Sequence, residues 1–355
     1  MRITAFEMRA VGQPLERVER DLRDPADHEV VVEVAGCGIC HTDLGFLFDG
    51  VPTRHSLPLV LGHEVAGRVV RTGATAKARV GDAVIVPAVM PCNRCELCAR
   101  GRGDLCKKQI FPGNDDHGGF ASHLVVPADG LCRVDTSSDN GRRLAKLSVC
   151  ADAVSTAFAA VKKSELRVGG FAIVVGAGGV GGFAAQIASA RGGTVLALDV
   201  DSNRLDRLGE YGVRHAMNVK GKSAKDVKKA VREFAKEHSI PPEEWRVFET
   251  SGTAAGQELA FALLGPGAYL GVVGYHGGDV TIRLSNLMAF AAKAEGTWGC
   301  PPVWFDDVLH LAETNAIHVD PFVELHPMSS INDVLARMRR HEIERRPVLV
   351  PDFDA

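Results

Sequence analysis

Apolar positions change their rhythm twice along this chain. Residues 30–34, 65–70 and 83–86 are short β-branched runs bounded by Gly, Pro or Asp, the pattern of strands joined by long loops. Those loops hold most of the cysteines and histidines, so this part reads as an antiparallel, barrel-like domain that displays ligands. After about Cys150 the pattern becomes regular. Strands at 171–175, 194–198, 247–248 and 269–273 alternate with helices at 182–191, 203–211 and 254–264. Fully apolar strands alternating with helices predict a parallel sheet covered on both faces. Near Trp298 the regularity lapses again, leaving helices at 306–314 and 331–340 and a closing strand at 347–350. The expectation is an α/β chain: a doubly wound parallel-sheet insert, 152–296, inside a discontinuous β-rich domain, 1–151 and 297–355.

Composition narrows the functional classes. With 355 residues, 46% hydrophobic and 24% charged, the chain suits two globular domains and not disorder, collagen or a coiled coil. A net charge of −3 offers no footprint for nucleic acid. The basic stretch 220–236 also carries Asp226 and Glu233 and reads as a solvated helix face. Aromatics are only 6% while glycines number 38, which suits tight βα turns and close approach of backbone to a ligand. Residues 1–10 include Arg2, Glu7 and Arg9 with no apolar core behind them, so no export signal is expected. The uncharged stretch 171–190 is glycine-broken and is read as strand, turn and helix start rather than as a membrane span. Four of the nine cysteines crowd into 92–106, which with no export signal expected points to metal and not to disulfides, and to a cytoplasmic location.

Three constellations carry chemistry. Cys92, Cys95, Cys98 and Cys106 can surround one Zn²⁺ with thiolates at about 2.3 Å, a closed and therefore structural site that pins a lobe at about 90–110. Gly176, Gly178 and Gly181, with Gly179 and Val180 between, follow an apolar strand and open a helix. That context turns a weak GxGxxG match into a pyrophosphate cradle. Asp199 ends the next strand, where a carboxylate bonds ribose hydroxyls and repels a 2′-phosphate, so NAD is favoured over NADP; Arg204 works the other way. The third set is scattered: Cys40 among Gly38, His41, Thr42 and Asp43, and His63-Glu64 after Gly62. Taken singly, these are as readily a buried thiol and a core histidine. Cys37 and Cys40 also mimic a redox pair, without the surroundings one needs.

In shared order and spacing, these pieces resemble the zinc-containing medium-chain alcohol dehydrogenase family over essentially the whole chain. The resemblance implies a GroES-like catalytic domain beside the Rossmann domain, and two Zn²⁺ per subunit, one catalytic and one structural. It makes Cys40 and His63 catalytic zinc ligands, Glu64 a nearby carboxylate able to join them, and Asp43 the group orienting the His63 ring. The third ligand stands four positions before a cofactor-contacting threonine. From Thr156 that is Asp152, where many relatives have Cys; Cys150, two residues away, is the alternative. Thr42 would start the proton relay, and Gly45 stands where many relatives end it with a histidine, leaving His41, His55 or water directly as the exit. His41 and Arg346 would reach the pyrophosphate, and Val273 the dinucleotide. The family implies a small-molecule alcohol substrate, no membrane or nucleic-acid partner, and a homodimer or homotetramer. Residues 1–12, 50–55, 286–290 and 298–302 resemble more narrowly those members that oxidise a cyclic secondary alcohol carried as a CoA thioester. For that cargo Arg54, Lys293 and the 220–236 stretch are the candidate cations.

Overall fold

The computed structural model describes residues 1–135 and 141–353. It divides into two compact units, Met1–Ser155 with Gly299–His310 and Val319–Ala355, and Thr156–Trp298 with Leu311–His318.

In the first unit a seven-stranded sheet runs Val323–Pro327, Arg346–Val350, Glu29–Gly38, Glu64–Thr72, Ala83–Val86 and Cys132–Arg133, with His123–Pro127 paired to Glu29–Glu33 on the edge that Arg346–Val350 meets at Cys37 and Gly38. Its central strand is buried along nearly its whole length because it lies between layers. Val30, Val32 and Val34 on one face join Leu47, Leu61, Phe120 and Leu335 in the core. Two register shifts, at Val31/Val32 and Val34/Gly36, bend this strand as bulges do and curl the sheet. A smaller sheet orders Glu16–Asp21, Arg2–Met8 and Leu59–Val60. Its hairpin carries alternating charge, so no apolar run announces it.

The second unit is a six-stranded parallel sheet, ordered His215–Asn218, Thr194–Asp199, Phe171–Val175, Arg246–Glu249, Tyr269–Val272 and Lys293–Gly296. Strand order reverses beside Phe171–Val175, the switch point where such sheets bind ligands beyond their carboxyl ends. The four central strands are the apolar ones, while the edges read His-Ala-Met-Asn and Lys-Ala-Glu-Gly and carry no apolar run. Residues 171–190 become the strand Phe171–Val175, a glycine turn and the helix Gly181–Ala190. Among the described residues no single helix is long and apolar enough to cross a membrane. The basic stretch forms the helix Ala224–Glu237, which buries Val227, Val231 and Ala235 and turns Lys225, Lys229, Arg232 and Lys236 to solvent.

One boundary departs from the sequence expectation. Leu311–His318, placed by pattern in the β-rich domain, packs with the parallel-sheet unit. The buried Gln186 explains it, accepting the His318 amide at 2.7 Å from a helix of that sheet. An amide side chain hydrogen-bonded to a distant backbone leaves no periodic signal.

Candidate active site

Cys40 caps the helix His41–Phe48, and the third helical residue, Asp43, turns back to accept the Cys40 amide on Oδ2 at 2.8 Å. The other oxygen of Asp43 accepts the Gly62 amide at 3.2 Å, so one solvent-free carboxylate ties the segment before His63 to the segment of Cys40. Gly62 has φ +95°, and a Cβ there would lie 2.6 Å from Phe120 and 2.8 Å from the Cys37 sulfur, so only glycine fits. Asp152 occupies the bend between Ser148–Ala151 and the helix Ala153–Lys163. Its Oδ2 lies 3.6 Å from Cys40 Sγ and 3.5 Å from His63 Nε2. The three donor atoms fall within 4.8 Å of one another. Cys150 is wholly buried and stands outside this group. Thr42 offers its hydroxyl 3.6 Å from the Cys40 sulfur.

His63 tests whether a metal fits. Its ring is buried against Phe111, yet neither ring nitrogen has a hydrogen-bond partner. Leaving both orphaned costs roughly 1–3 kcal/mol each. Nε2 faces the Cys40 and Asp152 donors, and Nδ1 lies 3.5 Å from Asp43 Oδ1. A cation on Nε2 and a proton shared with Asp43 on Nδ1 satisfy both. Thiolate, imidazole and carboxylate form a donor set that zinc accepts, with a position left for substrate. Burial opposes charging this ring, but Asp43 and Asp152 hold its pKa well above the ordinary histidine range.

Glu64 is placed differently from the metal-binding possibility. Its Oε1 accepts the Ala153 amide at 2.8 Å and Arg346 Nη2 at 2.6 Å, and its Oε2 accepts Arg346 Nε at 3.0 Å. Those bonds occupy the carboxylate, and it lies outside the donor group. Burial pushes the Glu64 carboxyl up, while the guanidinium clamped on it opposes that shift. A Cβ on Gly38 would stand 2.0 Å from Glu64 Oε2, so glycine makes room for the pair. Arg346, assigned to pyrophosphate by resemblance, thus spends its fork inside the first unit.

The four-cysteine lobe is equally ready for a cation. Its sulfurs gather within 4.8 Å, with Cys95 3.4 Å from Cys98 and 3.8 Å from Cys106. The amides of Cys92 and Lys108 both point at the Cys106 sulfur at 3.4 Å. The Arg94 backbone N–H draws the Cys92 thiol down to about 6, whereas partial burial and neighbouring thiols push Cys98 up to about 12. Four close sulfurs faced by amides suit thiolates around a metal, and the closed count makes the site structural.

A second histidine group is less suited. His55, Asp116 and His117 come together, but His117 Nδ1 accepts from the Val60 amide and from Arg20, both at 3.2 Å, so the neutral ring carries its proton on Nε2. Arg23 lies 3.7 Å from Asp116, adding a second cation. His55 Nδ1 contacts the Ser56 carbonyl at 2.5 Å.

In the parallel-sheet unit, Gly176 has φ +97°, and a Cβ would strike Ser251 backbone at 2.7 Å. A Cβ on Gly181 would lie 1.7 Å from the Gly176 carbonyl. At Gly178 it would meet only Arg204 Nη1, at 3.7 Å. The first and third glycines are therefore packing necessities, and the second leaves an open face at a helix N-terminus, as a pyrophosphate requires. Gly179 and Val180 are partly exposed beside it. Asp199, ending its strand, accepts the Ala177 amide at 2.5 Å and the Asp201 amide at 2.9 Å. Thr156 is buried on the helix Ala153–Lys163, His41 is exposed at the start of its helix, and Val273 is partly exposed just past Tyr269–Val272. Sequence reasoning missed Glu249, a buried carboxylate closing the strand next to the glycine loop. Its only signal was an acid ending an apolar pair.

A thiolate–imidazole–carboxylate donor set and a glycine-loop parallel sheet in one chain define a metal-dependent nicotinamide dehydrogenase. The comparisons agree. The alcohol dehydrogenase GroES-like domain model matches residues 26–136, and the zinc-binding dehydrogenase model matches 179–314. Galactitol 1-phosphate 5-dehydrogenase of Escherichia coli K12 is 30% identical over 250 residues, 69% of this chain and 68% of the relative. An alcohol dehydrogenase of Geobacillus stearothermophilus is 28% identical over 323 residues, 90% of this chain and 91% of its own. Among solved structures, the alcohol dehydrogenase of Aeropyrum pernix superposes with a TM-score of 0.88 at 28% identity, covering 98% of this chain and all of the other. The chain belongs to the zinc-containing medium-chain alcohol dehydrogenase family.

Proposed function

We propose that the protein oxidises a secondary alcohol to a ketone, passing hydride to NAD⁺ and releasing one proton. The observation that carries this is the orphaned, buried His63 Nε2 facing Cys40 and Asp152. Those three residues would hold the catalytic zinc, which when bound supplies a Lewis acid that acidifies the substrate hydroxyl. Asp43 fixes the His63 ring and the Cys40 backbone, so the donor set is built before any cation arrives. The Thr42 hydroxyl, beside the Cys40 sulfur, takes the substrate proton and hands it on. No ring stands at Gly45 to receive it, and His41, exposed on the same helix, is the exit this reading favours. The glycine loop holds the pyrophosphate, and Asp199 selects NAD over NADP by repelling a 2′-phosphate. Cys92, Cys95, Cys98 and Cys106 hold the structural zinc. The same reading makes the enzyme a cytoplasmic homodimer or homotetramer.

For the substrate, the segments 1–12, 50–55, 286–290 and 298–302 favour 6-hydroxycyclohex-1-ene-1-carbonyl-CoA, oxidised to the 6-oxo thioester in anaerobic benzoyl-CoA degradation. A second reading, a free secondary alcohol or polyol, has a specific observation behind it. Two of the cations offered to CoA are engaged by carboxylates, Arg54 with Asp115 at 3.1 Å and Lys293 with Glu295 at 2.7 Å, and within the 220–236 stretch Lys229 meets Glu233 at 3.8 Å. The galactitol phosphate relative leans the same way. Turnover followed by NADH absorbance, with the cyclic hydroxyacyl-CoA, its free cyclic alcohol and polyols side by side, separates the two. Arg54→Ala should raise KM for the CoA ester alone; an equal effect on the free alcohol removes the CoA assignment. Cys40→Ala should abolish every turnover with the fold intact, and retained activity sinks the whole reading.

A further inference from the structure

Glu249 closes the strand Arg246–Glu249, level with Val175 on one side and Val272 on the other. Its neighbours in the sheet are therefore the strand that delivers the glycine loop and the strand that delivers Val273. The carboxylate is buried, with 1% of the residue exposed. Oε1 accepts three hydrogen bonds, from the Ser251 amide at 2.8 Å, the Ser251 hydroxyl at 2.6 Å and the Gly252 amide at 3.1 Å. Oε2 is buried with no partner. Three donors on one oxygen make this group the hub of the turn 250–252.

That turn is wedged between two backbone segments. Ser251 fills the space a Cβ on Gly176 would need, and Thr250 donates its hydroxyl to the Gly176 carbonyl at 2.7 Å. On the far side, a Cβ on Gly274 would lie 2.3 Å from the Gly252 amide nitrogen and 2.7 Å from Glu249 Oε2. The Glu249 carbonyl meanwhile accepts both the Val273 and Gly274 amides, at 2.9 and 3.0 Å. One residue thus sets the spacing between the loop that starts the dinucleotide site and the next strand end.

Sheet order gives this a direction. Asp199, for the adenosine ribose, is on one side of the glycine-loop strand, and Glu249 and Gly274 are on the other. A dinucleotide with its pyrophosphate at the switch point extends its nicotinamide half towards Glu249. We infer that Glu249 is a positioning residue for the nicotinamide half: through the turn 250–252 it sets Gly176 and Gly274 at the separation the bound dinucleotide needs. This rests on the reading that the glycine loop binds the dinucleotide.

The test measures binding to the purified holoenzyme by NADH fluorescence and by calorimetry with AMP, alongside melting temperature. Glu249→Gln keeps a carbonyl oxygen at Oε1 and should bind NADH within about twofold of the parent. Glu249→Ala and Glu249→Asp, which remove the oxygen or withdraw it by one methylene, should weaken NADH by about tenfold or more, the scale of lost bonds to a charged acceptor. AMP, confined to the Asp199 side, should bind all variants alike. Should Ala fail to fold, Asp decides alone. A lowered melting temperature with unchanged NADH affinity well below it would make Glu249 merely structural and overturn the inference, as would equal losses for AMP and NADH. If the parent protein itself binds no NADH, the underlying reading fails instead.

Discussion

Arg346 closes on Glu64 across 282 positions of chain, Nη2 to Oε1 at 2.6 Å and Nε to Oε2 at 3.0 Å. Side-chain exposure is 4% and 0%, so water screens neither charge. Asp152 Oδ2 lies 3.8 Å from the same guanidinium. The arginine therefore offsets two carboxylates beside a thiol, in a place where negative charge would otherwise accumulate without compensation.

Removing one member of such a pair strands the other. Arg346→Met should cost about 3–5 kcal/mol of stability in denaturant titrations, because Glu64 is left buried and uncompensated. Adding Glu64→Gln to that variant should recover much of the loss. Simple addition of the two single-variant costs would show that the pair is not coupled.

Asp43 does its work with two acceptor oxygens, and both partners are N–H groups. Asp43→Asn turns an NH₂ against the Cys40 or the Gly62 amide, and weakens the hold on His63 Nδ1. Zinc affinity, read by competition with a chromophoric chelator, should fall by about 10–100-fold. Unchanged affinity would mean that the ligand segments are held by packing alone.

His117 gives a pH signature away from the metal ligands. Burial first, and then the Arg20 charge, bring its pKa down to about 4. The folded value lies below the unfolded one of about 6.5, so between these pH values the unfolded chain binds more protons. Stability should fall as pH drops from about 6.5 to 4 and level off below, losing about 2 kcal/mol through this group once solvent screening of the part-exposed ring trims the full linkage value of about 3 kcal/mol. His117→Gln should flatten that part of the stability–pH curve, as measured by urea unfolding at stepped pH. A variant with the parental slope would remove His117 as the cause.

The parts legible in sequence are those fixed by residue type over a short span. Four cysteines within fifteen positions, or glycines after an apolar strand, leave little else for the chain to do. The resemblance offers Asp152, through its place four positions before Thr156, with Cys150 as the alternative; its donor oxygen lies within 4.8 Å of the donor atoms of Cys40 and His63. The Glu64–Arg346 pair was illegible because a buried ion pair between distant strands leaves no local pattern. The edge strands His215–Asn218 and Lys293–Gly296 were missed because half-exposed strands need no apolar run. Leu311–His318 was assigned to the other unit because the contacts that hold it, His318 to the buried Gln186 and to the Tyr211 ring, are long-range and leave no local pattern.

Asp199 carries the last prediction. Its carboxylate accepts the Ala177 and Asp201 amides, so it braces the glycine loop, and under the proposed function its charge faces the ribose 2′-position. Arg204 stands close by, with Nη1 over Gly178 and its buried Nε 3.7 Å from Asp201 Oδ2, beyond hydrogen-bond range. Under that proposal the carboxylate is the main obstacle to NADP, and the arginine holds the phosphate once the obstacle goes. Asp199→Asn keeps one oxygen for the loop but removes the charge. Unit charges about 4 Å apart near a surface interact by about 4 kcal/mol, so the preference for NAD over NADP in kcat/KM should fall by about 100-fold or more. Arg204→Ala in that background should cost NADP far more than NAD. If the parent enzyme already favours NADP, charge at Asp199 does not set the choice, and Arg204→Ala alone should then suffice to reverse it.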